Sequence, residues 1–323
     1  MRQPDLDQAP TVSTRTVACA LCGSHDIAET VCETRDFCYE TCANSFRYVR
    51  CAGCDNLYLA NRPDLCELSV IYPQNYLTYD YESSLGPIIS ALRNKVQAKK
   101  IKPIARYAQD DDIILDVGCG AGDFLELIQR FGAPGWRAIG IDFSPQAVAR
   151  ARSKGLEVIE GRIEDMADDR PEGVGVIVMN QLIEHVEDPQ KVMTICHDML
   201  RPGGVLILET PNPNAWEAVL FRARYWGGWH APRHWNIFTP EPLGKAAAAC
   251  GLEPLGVEYT LNPFSWLHSI QYLLRERFGW DRVGRLSDVD RFVPLALASS
   301  LDVVQKAVTG RTSNQRLIFT RRD

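Results

Sequence analysis

From about residue 110 onward, short apolar runs alternate with amphipathic stretches, the pattern of strands and helices taken in turn. Ile113, Ile114, Leu115 and Val117 form a run interrupted only by Asp116, as expected of a strand covered on both faces. It leads straight into Gly118-Cys-Gly-Ala-Gly122 and a helical pattern, the strand–turn–helix arrangement by which a doubly wound sheet meets a nucleotide-like ligand. Trp136 to Asp142 reads as a second strand ending in an acid, with Ser144 as N-cap and Pro145 in the first turn of a helix through Ala151. Val174 to Asn180 reads as a further strand, and Met199 to Pro211 as a helix-to-strand turn and the strand after it. Thr239 to Cys250 suits a helix with Thr239 as N-cap, Pro240 at its first position and Gly251 as terminator. A carboxylate at Asp142 can accept hydrogen bonds from both hydroxyls of a ribose, which points to an adenosine-type ligand without naming it.

Composition adds a second body to this picture. The 323 residues are 46% hydrophobic, enough for a sizeable core, and the length suggests about two domains. Eight of the eleven cysteines fall between Cys19 and Cys66, leaving only Cys119, Cys196 and Cys250 for the sheet-forming part. Residues 1–16 are polar, contain no apolar signal-peptide core and are expected to be disordered. Without a secretion signal, dense cysteines point to metal ligation in a cytoplasmic protein. Cys19 and Cys22, with Cys51 and Cys54, form two Cys-x-x-Cys knuckles suited to a tetrahedral, structural zinc ion. Their separation of 28 residues exceeds the usual ribbon range of about 15 to 20, so the intervening loop carries an insertion. Cys32, Cys38 and Cys42 lie in that loop at spacings that match no standard pair, and are expected to be structural or free thiols, as opposed to ligands of a second metal. A redox role for the knuckles is disfavoured because the region lacks a strand–helix setting. A net charge of −6 argues against a broad polyphosphate-binding surface, and no 18-residue apolar run predicts a membrane span.

The run Leu115-Asp-Val-Gly-Cys-Gly-Ala-Gly122 resembles the first motif of class I S-adenosylmethionine-dependent methyltransferases, whereas the dinucleotide fingerprint spaces its glycines Gly-x-Gly-x-x-Gly. The resemblance continues through Gln181-Leu-Ile-Glu-His-Val-Glu-Asp-Pro189 and Met199 to Pro211, covering roughly residues 110–260. It implies a Rossmann-like α/β fold with a seven-stranded doubly wound sheet, in which Leu255–Tyr259 and Gln315–Thr320 supply the sixth and seventh strands. It also implies S-adenosylmethionine as donor. Asp116, Gly118, Cys119, Gly120 and Gly122 would line the methionine and ribose, Asp142 would hold the ribose with Phe143 beside it, and Asn180 and Gln181 would border the methyl group. Glu164 or Asp165 would reach the adenine, although Arg162 stands where many relatives carry an aspartate. The order of knuckle, Tyr48 to Tyr58, and Ile71 to Tyr76 resembles the N-terminal zinc-binding domain of some bacterial methyltransferases, including sugar C-methyltransferases. The expected organisation is a zinc-binding module at 17–82, a linking helix at 83–109 and a methyltransferase domain at 110–323. Tyr72, Tyr76, Tyr79 and Tyr81 read either as packing or, for Tyr76 or Tyr79, as a cover over the methionine end.

Two insertions, 211–238 and 261–310, remain at the end of the sheet where such folds bind substrates. The second, with Phe264, Trp266, Tyr272, Phe278 and Trp280, is expected to form a helical lid or a homodimer surface. The first contains Trp226-Gly-Gly-Trp-His-Ala-Pro-Arg-His-Trp-Asn-Ile-Phe238 and is expected to line the acceptor pocket. In the resembling family a Pro-x-His-x-x-x-Phe-Thr pattern stands here, carried by Pro232, His234, Phe238 and Thr239. Methyl transfer to a hydroxyl needs alignment and a proton acceptor, which a neutral imidazole provides. His234 is the first candidate for the base, then His230, then His185; His25 and His197 read as structural. Arg233 is expected to meet an acidic group on the substrate. The expected activity is O-methylation of a small-molecule hydroxyl on a sugar, polysaccharide precursor or natural product, with C-methylation of a sugar as the alternative. An RNA methyltransferase is disfavoured: residues 15–70 contain no lysine, acids match their arginines, and Asn180-Gln-Leu-Ile replaces the amino-methylating motif. A non-catalytic binding module is disfavoured by the intact glycine turn, and a dehydrogenase by the absence of a nicotinamide-binding segment.

Overall fold

The computed structural model describes residues 9–72, 98–166, 170–278 and 292–322. Tyr76, Tyr79, Tyr81 and Trp280, and most of the linking helix, lie outside these residues; 98–107 is helical. The sheet-forming part contains β6 (Ile113–Val117), β7 (Arg137–Asp142), β8 (Glu157–Glu160), β9 (Val174–Asn180), β10 (Leu200–Pro211), β12 (Leu252–Thr260) and β13 (Asn314–Arg321). They form one sheet in the order β12-β13-β10-β9-β6-β7-β8. Five neighbouring strands run parallel, while β13 is antiparallel to both β10 and β12. This is the seven-stranded mixed sheet expected of a class I methyltransferase.

Side-chain alternation explains why the strands are apolar throughout. Ile114, Val176 and Val178 pack on one face with Val205 and Ile207, and Leu115, Ile177 and Met179 pack on the other with Leu206 and Leu208. Between strands run α1 (Asp123–Phe131), α2 (Pro145–Ser153), α3 (Pro189–Met199) and α5 (Pro240–Ala249), with the short α4 (Trp216–Phe221) in the first insertion. Ser144 caps α2 by accepting from Ala147 N, and the helix continues two residues past Ala151. Thr239 occupies the N-cap of α5, but its side chain makes no capping bond there. The second insertion forms α6 (Pro263–Phe278) and α7 (Phe292–Thr309).

The cysteine-rich part consists of β1 (Thr14–Thr16), β2 (Ile27–Thr34), β3 (Phe46–Cys51), β4 (Leu57–Leu59) and β5 (Asn61–Pro63). β1 pairs with β5, and a second small sheet joins β4, β3 and β2 in that order to a further edge strand. Its edge strand β11 (Asn236–Ile237) comes from the first insertion, so the module's sheet is completed by the segment that follows His234. Cys19, Leu21, Val49, Cys51 and Tyr58 also belong to the apolar cluster of the large sheet's face. The module is thus packed into the main domain as part of its core.

Candidate functional site

The ends of β6, β7 and β9 meet at the glycine turn. Gly118 has φ +78°, and a Cβ there would stand 3.1 Å from Leu182; at Gly122, φ is +84° and a Cβ would lie 2.2 Å from Leu156. Both positions therefore demand glycine. The turn is tied to β7: Gly118 N and Cys119 N donate to Ile141 O at 2.8 and 3.1 Å, and Gly120 N donates to Asp142 Oδ2 at 2.8 Å. Ser144 N donates to Asp142 Oδ1 at 2.9 Å. Each carboxylate oxygen thus accepts one backbone bond and keeps capacity for another, as a ribose diol requires. Phe143, 56% exposed, stands beside it. Asp116 is buried, and burial together with the Asp142 charge pushes its carboxyl up to about 8. The Cys119 thiol turns inward against Gly140. Gln181 adopts φ +53° after Asn180, and its buried Nε2 makes no hydrogen bond. Glu164 accepts from Arg162 at 2.8 Å, so the arginine that replaces the usual aspartate is paired with the proposed adenine contact.

Both knuckles converge. Cys19 and Cys54 Sγ are 3.6 Å apart, Cys22 and Cys51 Sγ 3.4 Å, and all four sulfurs lie within 4.8 Å of one another. A zinc ion with Zn–S bonds of about 2.3 Å places its sulfurs roughly 3.8 Å apart, so this donor set fits a tetrahedral ion. Gly53 N donates to Cys51 Sγ at 3.3 Å, and Asn56 Nδ2 donates to Cys19 Sγ at 3.9 Å. Four thiolates leave no position for water, which suits a structural role. Cys32, Cys38 and Cys42 do not join this or any other ligand group among the described residues. Burial raises all three thiols, Cys38 and Cys42 to about 11 and Cys32 to about 12, which keeps them unreactive.

The three candidate histidines come together although they lie up to 49 positions apart in the chain. The rings of His185 and His234 stand 4.6 Å apart, His230 and His234 5.0 Å, and His185 and His230 6.4 Å. His234 Nδ1 lies 2.8 Å from Gly228 O. A carbonyl only accepts, so Nδ1 carries the proton and Nε2 the lone pair. His185 Nδ1 is 3.0 Å from both Arg233 O and the Tyr72 hydroxyl. The Tyr72 ring also meets Phe143 edge-on at 6.5 Å, linking the histidines to the residue next to Asp142. Burial lowers all three imidazoles, His234 to about 4 and the others well below their ordinary range, so they are neutral at pH 7.

Arg233 does not meet the substrate as expected. Its guanidinium is fully buried and bonds Asp36 through both nitrogens, at 3.1 and 2.9 Å, while Nε donates to Ile71 O at 2.6 Å. Asp36 has no local signature, because its partner lies 197 positions away. Tyr48 was equally hidden; its hydroxyl lies 2.7 Å from both Trp229 O and His234 O.

Glu184 is a third residue that sequence reasoning passed over. It is fully buried, and neither of its carboxylate oxygens has a hydrogen-bond partner. Burial pushes the carboxyl up to about 8. Glu184, His185 and His234 bring one ligand-type atom each within 4.8 Å of one another. An unfolded glutamate titrates near 4.3, so its stabilising contribution is complete below that pH and is lost as pH rises towards 8. Glu184→Gln should remove this loss. Unfolding free energies of the two proteins from pH 5 to 8.5 should diverge in favour of the variant, by up to about 1.4 kcal/mol per pH unit. Parallel curves would show that the carboxyl is ionised in the fold.

Residues 91–257, just over half of the chain, match the family described as a methyltransferase domain. Ubiquinone biosynthesis O-methyltransferase of Bordetella avium is 29% identical over 208 residues, 59% of this chain and 82% of that protein. Its namesake from Ruegeria pomeroyi is 31% identical over 168 residues, 49% of this chain and 66% of the relative. That of Idiomarina loihiensis is 31% identical over 157 residues, 45% and 63%. The last two matches span slightly less than two thirds of those proteins' length. Among solved structures, a SAM-dependent methyltransferase from Archaeoglobus fulgidus shares 16% identity with a TM-score of 0.47, covering 71% of this chain and 94% of that one.

Proposed function

This chain belongs to the class I S-adenosylmethionine-dependent methyltransferases, and we propose that it methylates a hydroxyl group of a small molecule. The observation that carries this reading is the convergence of neutral imidazoles beyond β9, joined through Tyr72 to the β7 end that carries Asp142. The ubiquinone biosynthesis O-methyltransferases that this chain resembles support the same acceptor atom. When bound, S-adenosylmethionine supplies a methyl group on a positively charged sulfur. Asp142 and the glycine turn bind and orient the donor, and the aromatic first insertion keeps water from the acceptor. His234, protonated on Nδ1 by its bond to Gly228 O, takes the acceptor's proton on Nε2. Four cysteines hold a structural zinc ion that fixes the module against this site.

A role in gripping RNA finds no support in the module's charges. Arg15 and Arg62 both pair with Glu187, Arg50 with Glu29, and Arg35 with Glu276. Leu297, Leu301, Val304 and Val308 leave one side of α7 exposed and apolar, which supports the homodimer reading of the second insertion. Among the described residues no helix is long and apolar enough to cross a membrane.

The first test is calorimetric titration of the zinc-loaded protein with S-adenosylhomocysteine, with NAD as comparison. Selective micromolar binding supports the donor site; preference for NAD overturns it. Transfer from labelled S-adenosylmethionine to panels of phenolic and sugar hydroxyls then identifies the acceptor class. His234→Ala should lower turnover by about 100-fold, the typical contribution of a general base, while S-adenosylhomocysteine affinity stays within about twofold. A base must be unprotonated to act, so kcat/KM should fall only as pH approaches about 4 and not at 6.5. Undiminished turnover in the variant would remove His234 from this role.

A further inference from the structure

We propose that Asp36, on the cysteine module, is a positioning residue for the histidine cluster, acting through Arg233 on both groups that hold His185 Nδ1. The inference rests on the reading of His185 and His234 as acceptor-side groups.

Residues 230–235 contain no regular strand or helix that could fix the two imidazoles from within. Their geometry must come from elsewhere, and the buried guanidinium of Arg233 supplies it. Arg233 O is one neighbour of His185 Nδ1. Tyr72 is the other, and the residue before it, Ile71, offers its carbonyl to Arg233 Nε at 2.6 Å. One side chain therefore sets the position of both Nδ1 partners, and so selects which ring nitrogen is free. The next residue along the chain is His234 itself.

What holds the guanidinium is Asp36. Its carboxylate accepts from Arg233 Nη1 and Nη2, from Cys38 N, Tyr39 N and Thr41 N at 3.2, 3.0 and 2.9 Å, and from Thr41 Oγ1 at 2.7 Å. The Tyr39 ring lies 4.5 Å from the guanidinium carbon, closing one face. Burial alone would raise this carboxyl, but Arg233 and the backbone N–H groups more than offset it and hold it below the usual carboxylate range. Both side chains are fully buried. A buried ion pair gains little stability over apolar packing of equal volume, but its bidentate bonds fix direction in a way that apolar contacts do not. Direction is what an imidazole tautomer needs. The module that the four cysteines organise thus contributes to acceptor-side geometry by a route independent of any contact with substrate.

The test uses full-length, zinc-loaded Asp36→Asn with ¹⁵N-labelled histidine. Long-range proton–nitrogen spectra of wild type should show His185 in a single tautomer, protonated on the Nδ1 that donates to Arg233 O. In the variant that signal should move towards a tautomer mixture by several parts per million in nitrogen shift. Zinc content should match wild type and S-adenosylhomocysteine affinity should change less than about threefold, so that general misfolding is separated from mispositioning. Asp36→Glu, which keeps the charge, should recover part of the wild-type signal. If Asp36→Asn does not fold, the volume-matched pair Asp36→Leu with Arg233→Met removes both charges and should give the same displaced signal. An unchanged His185 spectrum in a folded, zinc-loaded variant overturns the proposal. Failure of wild type to bind S-adenosylhomocysteine would instead overturn the methyl-donor reading, and the spectra would still decide whether Asp36 positions His185.

Discussion

Cys51→Ser is expected to lower zinc from one ion per chain to less than about a tenth, and to abolish methyl transfer while leaving the donor end of the sheet folded. The size of the effect follows from the arithmetic of small metal sites. A structural zinc contributes about 10–16 kcal/mol in isolated fingers, as much as the whole stability of a typical domain, about 5–15 kcal/mol. Cys51 ends β3, pairs across β2 at Ile27 and sits in the same apolar cluster as Met179 and Phe238. Losing the metal frees the β11 edge and the Tyr48 hydroxyl that steadies His234 O, so damage spreads to the acceptor side. The glycine turn and Asp142 are held by hydrogen bonds within β6, β7 and the start of α2, none of them to the module. Metal analysis, limited proteolysis within residues 9–72 and S-adenosylhomocysteine titration separate these consequences. Cys66→Ser, at an exposed position outside the cluster, is the control. Full zinc occupancy in Cys51→Ser would refute its assignment as a ligand.

What the sequence showed and what it hid divide along chain distance. β9 covers Val174–Asn180 as its apolar run predicts, and the Ser144-Pro145 cap works as written, because both are decided by neighbours in the chain. The glycine turn was legible for the same reason: positive φ and close backbone approach are local demands. The sixth strand runs from Leu252 to Thr260, longer than its apolar centre suggests, because pairing with β13 extends it through exposed positions. The clustering of the cysteines was legible from two short spacings, although the loop between them was not. Arg233 was misread because a lone cation beside two histidines looks like a substrate ligand, and nothing near it in sequence announces Asp36. β11 escaped notice for a similar reason: two residues carry no periodicity, and their strand state depends on β4 from another part of the chain. Glu184 shares its motif with a histidine and has nothing in the sequence to set it apart; only its burial, which raises the carboxyl to about 8, does so.

Asp142→Ala should weaken S-adenosylhomocysteine binding by about 100-fold, and the argument has two parts. Each ribose hydroxyl that donates to a carboxylate contributes about 1.5–3 kcal/mol, so loss of two such bonds could cost more than the 2.7 kcal/mol that a 100-fold change represents. The unliganded turn also loses its own anchor, since Gly120 N then has no Asp142 Oδ2 to bind. That second loss raises the energy of the free protein too, which is why the measured change should fall below the sum. Asp142→Asn separates the parts: its amide retains one oxygen for Gly120 N or for Ser144 N, but lacks the charge and one acceptor. It should therefore bind with intermediate affinity, about tenfold weaker than wild type, with the fold's thermal midpoint nearly unchanged. The measurement is calorimetry on all three proteins at one salt concentration. Equal affinities for wild type and Asp142→Ala would mean that the carboxylate serves the turn alone, and that the ribose is held by other groups.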